Sequence, residues 1–166
     1  MQAETQADPE LIPASIFRAY DIRGIADQQL TTQSVKRIGQ AIGSEALDQN
    51  IASLLVGYDG RLSSPSLSIA LIEGIQSSGC NVVSIGLVPT PLLYYATFTT
   101  YYTSGVMLTA SHNPANYNGL KIVFNQTSLA DNQIQTIRTR IENNQLRTGS
   151  GEFTELEIDR SYIDDI

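Results

Sequence analysis

The residues from 105 to 122 run Gly105-Val106-Met107-Leu108-Thr109-Ala110-Ser111-His112-Asn113-Pro114-Ala115-Asn116-Tyr117-Asn118-Gly119-Leu120-Lys121-Ile122. An apolar run gives way here to small polar residues, and in an open α/β sheet ligands meet the C-terminal ends of such strands. A serine in that position is exposed, with backbone N–H groups nearby that favour a phosphate. Spacing alone leaves a second reading equally open, an ordinary polar loop with an Asn-Pro turn.

Other groups suited to anion chemistry are cationic. Four of the ten basic residues, Arg18, Arg23, Arg61 and Lys121, fall in loop-like segments, whereas the rest sit mostly in helix-like stretches as solvated charges. Arg61 closes an Asp59-Gly60-Arg61 turn. An ion pair across that turn would fix the loop, so Arg61 is read as structural support close to the site. His112 is the only histidine. Neighbouring side chains in an extended loop point apart, which favours a loop-shaping or phosphate-contacting role for His112 over that of a base to Ser111.

The elements that must carry these residues alternate. Ile16 to Ile25 reads as a short extended segment broken by Gly24. Thr32 to Asn50 is an amphipathic helix with a Thr cap, its apolar residues Val35, Ile38, Ala41, Ile42 and Leu47 recurring at steps of three and four. Ser53 to Tyr58 is a buried strand. Ser64-Pro65 and Thr90-Pro91 each pair a capping hydroxyl with a proline, opening helices that run from Ser64 to Gly79 and from Leu92 to Tyr102. Asn81 to Leu87, Gly105 to Thr109 and Gly119 to Asn125 are strands, and Ala130 to Gln145 is a helix with Ile134, Ile137 and Ile141 inward. This order predicts an α/β fold, a three-layer α/β/α domain with a mixed, mostly parallel sheet in which the Gly119 strand runs antiparallel to its predecessor.

A chain of 166 residues with 42% hydrophobic and 16% charged residues has the composition of one folded core. Its net charge of −7 argues against a nucleic-acid surface, and no stretch approaches the length of a membrane span. The single Cys80 lies in an apolar run and suggests a buried thiol in a reducing compartment. The expected location is cytoplasmic. Residues 1–14 read as a flexible head, 15–146 as the domain, and 147–166 as a linker with the start of a second domain. Tyr162, Ile163 and Ile166 stand at helical spacing with no core of their own, so the chain is expected to continue and to be one domain of a longer protein.

Taken whole, the Ser111 segment resembles the phosphoserine loop of the α-D-phosphohexomutase family, close to Thr-Ala-Ser-His-Asn-Pro with a downstream Asn-Gly and Lys. The resemblance extends, in family order, to Phe17-Arg18-Ala19-Tyr20-Asp21-Ile22-Arg23-Gly24, to Val56-Gly57-Tyr58-Asp59-Gly60-Arg61 and to Val88-Pro89-Thr90-Pro91. The first of these looks like the phosphomannomutase/phosphoglucomutase branch. Phosphoglucosamine mutases usually carry a different motif there. The resemblance implies that Ser111, as a phosphoserine, exchanges a phosphoryl group with hexose phosphates through a bisphosphorylated intermediate, and that its phosphate supplies one ligand to Mg²⁺. Lys121 and Arg23 would stabilise the transferring group, with Lys121 also a candidate proton carrier. His112 would lie beside it, Tyr20 would contact substrate and Asn113 would hold the loop. A glucose 1,6-bisphosphate type activator would prime the serine.

The family's metal loop, sugar-recognition loop and C-terminal phosphate loop do not occur in this sequence, so negligible turnover is expected from this chain alone. A serine hydrolase would need a base and an orienting acid around Ser111, usually on a Gly-x-Ser-x-Gly turn. Neither a P-loop nor a Gly-x-Gly-x-x-Gly fingerprint is present. The rival of another class is a non-catalytic domain that binds phosphosugar or a partner domain through the same loop.

Overall fold

The computed structural model describes residues 12–158. After a single 3₁₀ turn at Ala14–Ile16 come β1 (Ile22–Ile25), α1 (Thr32–Asp48), β2 (Ser53–Tyr58), α2 (Ser64–Ser77), β3 (Asn81–Leu87) and α3 (Thr90–Thr99). There follow β4 (Gly105–Leu108), β5 (Tyr117–Phe124), β6 (Thr127–Ser128), α4 (Asn132–Glu142) and β7 (Phe153–Glu155). The sheet order is β1-β5-β4-β2-β3-β7, with β6 paired to β5. β2 pairs in parallel with both β3 and β4, and β3 with β7, whereas β5 is antiparallel to β1, β4 and β6. Among the described strands only β5 therefore runs against the rest, and the sheet is mixed as expected.

Alternation along the strands divides the core. Leu54, Val56, Val106, Leu108, Leu120 and Ile122 face α1, α2 and α4, and their opposite-facing neighbours Leu55, Met107 and Val123 pack with Leu92, Leu93 and Ala96 of α3. Both faces are covered, which gives three layers.

Local details depart from the sequence reading where tertiary contacts compete. The cap of α1 is Thr31, whose side chain accepts from the Ser34 amide in a capping box. Ser64 does not cap α2; its hydroxyl donates instead to Asp59 Oδ1 at 2.9 Å. Thr90 is the first residue of α3 and Pro89 its cap, and that helix stops at Thr99, short of Tyr102. Gly24 does not break the first strand but pairs with Asn118 inside β1. α4 is shorter than expected at both ends.

The largest departure is at the tail. Residues 147–151 have the composition of a flexible linker, yet they are fastened along α1 and α2. Arg147 pairs with Asp48, the Gly149 amide donates to Ser77 O at 2.8 Å, and the Gly151 amide to Gln76 O at 2.8 Å. A Cβ on Gly151 would come within 1.9 Å of Cys80 O, so glycine serves close packing here. The chain then adds β7 to the sheet edge. Asp48 accepts from both Arg140 and Arg147, whose guanidinium groups hold its carboxyl below the usual range. The expected head at 1–14 falls mostly outside the described residues, as does the amphipathic stretch at 159–166.

Cys80 is buried, as its sequence neighbours suggested. Burial pushes its thiol from the ordinary 9.0 up to about 12. Below pH 9.0 the thiol is protonated in both folded and unfolded chains and its contribution to stability is fully present. As pH rises towards 12 the unfolded thiol ionises first, so stability falls. The expected outcome is that a thiol reagent leaves Cys80 unmodified at pH 8 until denaturant is added. Urea melts between pH 9 and 11 should lose stability faster in the wild type than in Cys80→Ala; parallel slopes would contradict this.

Candidate functional site

The loop 109–116 leaves the C-terminal end of β4 and returns as β5, which is inserted between β4 and β1. Three chain segments therefore meet at one rim: the turn into β1, the loop after β2, and the Ser111 loop. The register sets Arg23 opposite Gly119, and Met107 opposite Lys121. Strand pairing thus brings Arg23 to Ser111's loop, where it meets Asn113, and sets Lys121 beside β4.

Asp21 joins these cations. Its buried carboxylate, with a side chain 7% exposed, pairs with Arg23 Nη2 and lies 3.6 Å from Lys121 Nζ. Arg23 Nη1 also donates to Asn113 Oδ1 at 2.6 Å. Both cations keep about a fifth of their side-chain surface, at 19% and 22%, so they remain open to an anion from solvent.

Ser111 is exposed and has a φ of 55°. For a residue with a Cβ this left-handed backbone costs about 1 kcal/mol, and such strain persists where the surroundings over-determine it. His112 is exposed on the same loop, Asn113 half-buried. No carboxylate among the described residues pairs with His112 as the orienting acid of a hydrolase would. Tyr20, 72% exposed, stands on the turn before β1.

Asp21 escaped the sequence reading, although it sits inside a quoted motif; only the β1–β5 pairing shows it between two cations. Thr109 and Asn118 were also missed. Arg61 does pair with Asp59, at 3.4 Å, but its main partners are backbone carbonyls of the Ser111 loop.

Among the described residues no three His, Cys, Asp or Glu side chains gather to hold a metal. Asp21 and Asp59, both tied to this rim, are already engaged by cations and hydroxyls. This donor set does not fit a closed Mg²⁺ site. A cavity of about 510 Å³ lies elsewhere, lined by Ile12, Phe17, Arg37, Arg138, Ile141, Glu142 and Asn144.

Fold and rim together define a three-layer α/β/α domain that presents a serine among fixed cations at the C-terminal edge of its sheet. The phosphoglucomutase/phosphomannomutase alpha/beta/alpha domain I family matches residues 14–148. The chain belongs to that family. It is 50% identical over 155 residues to a phosphomannomutase/phosphoglucomutase of Pseudomonas aeruginosa, covering 93% of this chain and 34% of the relative. A phosphoglucomutase of Neisseria meningitidis is 40% identical over 154 residues, covering 92% of this chain and 34% of the relative. The crystal structure of a phosphoglucomutase/phosphomannomutase family protein from Burkholderia thailandensis superposes with a TM-score of 0.89 at 37% identity, covering 92% of this chain and 35% of that one. The chain therefore spans about a third of the length of these relatives.

Proposed function

We propose that this chain is the phosphoserine-bearing domain of a hexose phosphate mutase, acting on mannose or glucose phosphates. The observation that carries the reading is an exposed, left-handed Ser111 at the C-terminal edge of the sheet, with Arg23 joined to its loop through Asn113 and Lys121 joined to Arg23 through Asp21. In the first transfer the Oγ–P bond of phosphorylated Ser111 breaks as a bond forms to a free hydroxyl of a hexose monophosphate. In the second, the O–P bond to the other phosphoryl group of the bisphosphate breaks as a bond forms to Ser111 Oγ, so the phosphoserine is regenerated and the sugar phosphate isomerised. Arg23 and Lys121 stabilise charge on the transferring oxygens, and Lys121 is the candidate carrier of the hydroxyl proton.

His112 contacts the phosphate, Tyr20 the sugar, and Asn113 holds the loop. Mg²⁺ would take one ligand from the Ser111 phosphate and the others from outside the described residues. A bisphosphorylated hexose activator primes the serine. The remaining partners are further domains of the same protein, in a cytoplasmic setting. Alone, the chain does not complete the turnover cycle.

The test is intact-mass measurement of the full-length protein after incubation with glucose 1,6-bisphosphate and Mg²⁺. One phosphoryl group is expected on the wild type and none on Ser111→Ala. An unmodified wild type would count against the mutase reading and favour a non-catalytic binding domain, whereas an identical adduct on Ser111→Ala would place the chemistry elsewhere.

A further inference from the structure

A single guanidinium takes three carbonyls of the Ser111 loop and one more at the start of β5. Arg61 Nη2 donates to Ser111 O at 2.7 Å and to Asn113 O at 3.0 Å, and Nη1 donates to Pro114 O at 2.7 Å and to Tyr117 O at 3.1 Å. Only a planar fork of donors reaches four acceptors at once; an ammonium at that place could not. Arg61 is aimed by Asp59, whose Oδ2 lies 3.4 Å from Nε and whose Oδ1 accepts from the Arg61 amide at 3.2 Å.

The same carboxylate reaches Ser111 by a second route. Thr109 Oγ1 donates to Asp59 Oδ2 at 2.7 Å and accepts from the Ser111 amide at 3.1 Å. With its one proton committed to Asp59, the Thr109 hydroxyl is fixed as an acceptor. Asp59 is itself held, because Oδ1 accepts from Ser64 Oγ at 2.9 Å and Ser64 Oγ accepts from the fully buried Asn118 at 3.1 Å. Ser111 is therefore gripped on both sides of its α-carbon, at its N–H through Thr109 and at its C=O through Arg61, and both grips end on Asp59. This explains why Ser64 leaves the helix cap and why a residue with a Cβ stays at a φ of 55°.

We propose that Asp59, Thr109 and Arg61 are positioning residues that hold the Ser111 backbone in its left-handed conformation and turn its carbonyl, with three others, onto a fixed cation. The acceptor oxygens that would repel an incoming phosphoryl group are thereby already engaged, and the Oγ is held ready for transfer. The clamp rests on the mutase reading for its purpose but not for its existence.

The two are separated by measuring amide hydrogen exchange of residues 109–117 and phosphoryl uptake from glucose 1,6-bisphosphate in the same samples of the full-length protein. Thr109→Val, which removes the hydroxyl, should speed exchange of the Ser111 amide by about tenfold or more, and Arg61→Met should do so across the loop, with core strands unchanged. Phosphoryl uptake at saturating donor should fall by about tenfold or more in each, with the half-saturating concentration within about threefold. Thr109→Ser, which keeps the hydroxyl, should restore both readouts. Loop exchange unaltered in Thr109→Val and Arg61→Met would overturn the clamp, as would failure of Thr109→Ser to rescue. If the wild type takes up no phosphate, the mutase reading falls and the exchange data alone decide the clamp.

Discussion

Gly119→Ala destabilises the chain by about 3 kcal/mol, the upper range for forcing extra volume into a packed site. A Cβ at this position would lie 2.5 Å from Ile22 O and 2.9 Å from Thr109 O. Both are backbone atoms of flanking segments and cannot swing aside. Gly119 pairs with Arg23 across β1, and its carbonyl accepts the Thr109 amide at 2.8 Å, so relief by strand separation would open both sides of β5. The midpoint of urea unfolding should fall with its slope unchanged. Gly60→Ala is the matched control, since nothing lies within 4 Å of its added methyl. Equal midpoints for the two variants would contradict the account. Loss of site geometry should accompany the loss of stability, because β5 carries Lys121 and faces Arg23.

Asp21→Ala leaves two cations beside each other with no counter-charge. Breaking a buried ion pair on one side costs about 3–5 kcal/mol, and with Arg23 and Lys121 partly solvated the cost here falls to about 2 kcal/mol. Repulsion between the remaining charges is screened by salt, so the deficit should shrink in about 1 M sodium chloride, where the Debye length is near 3 Å. Stability of Asp21→Ala equal to wild type at low salt would show that the carboxylate is not the hub. Phosphoryl uptake at Ser111 should fall as well, since Arg23 holds Asn113 only while Asp21 orients it. Asp21→Asn, of nearly the same shape, separates charge from packing: it should keep the fold better than alanine but still lose uptake.

Much of this fold was legible because its signals are local. Helix α1 announces itself by Val35, Ile38, Ala41 and Ile42, all of which are buried. Strands β2 and β3 match their predicted limits, since a short apolar run between polar ends leaves little freedom in where a buried strand begins. Errors cluster where a polar group has a choice of partners. Ser64 satisfies every local rule for a helix cap, yet Asp59 and Asn118 compete for its hydroxyl and win. Residues 147–151 have a linker's glycines and serines, and those same small residues permit close packing against Cys80 and α2.

The candidate site divides along the same line. Residue types and their order along one segment are sufficient to mark the loop, its serine, the strand that leads into it and the basic residues Arg23, Arg61 and Lys121 as candidates. They could not determine that Asp21 lies between Arg23 and Lys121, nor that Arg61 grips the carbonyls of a loop fifty residues away in sequence. The first follows from β5 entering the sheet antiparallel between β1 and β4, the second from the parallel pairing of β2 with β4, which sets their C-terminal loops side by side. Only once that register is set do residues 21, 23, 113 and 121 become neighbours, because hydrogen-bond and ion-pair partners are chosen by distance in space.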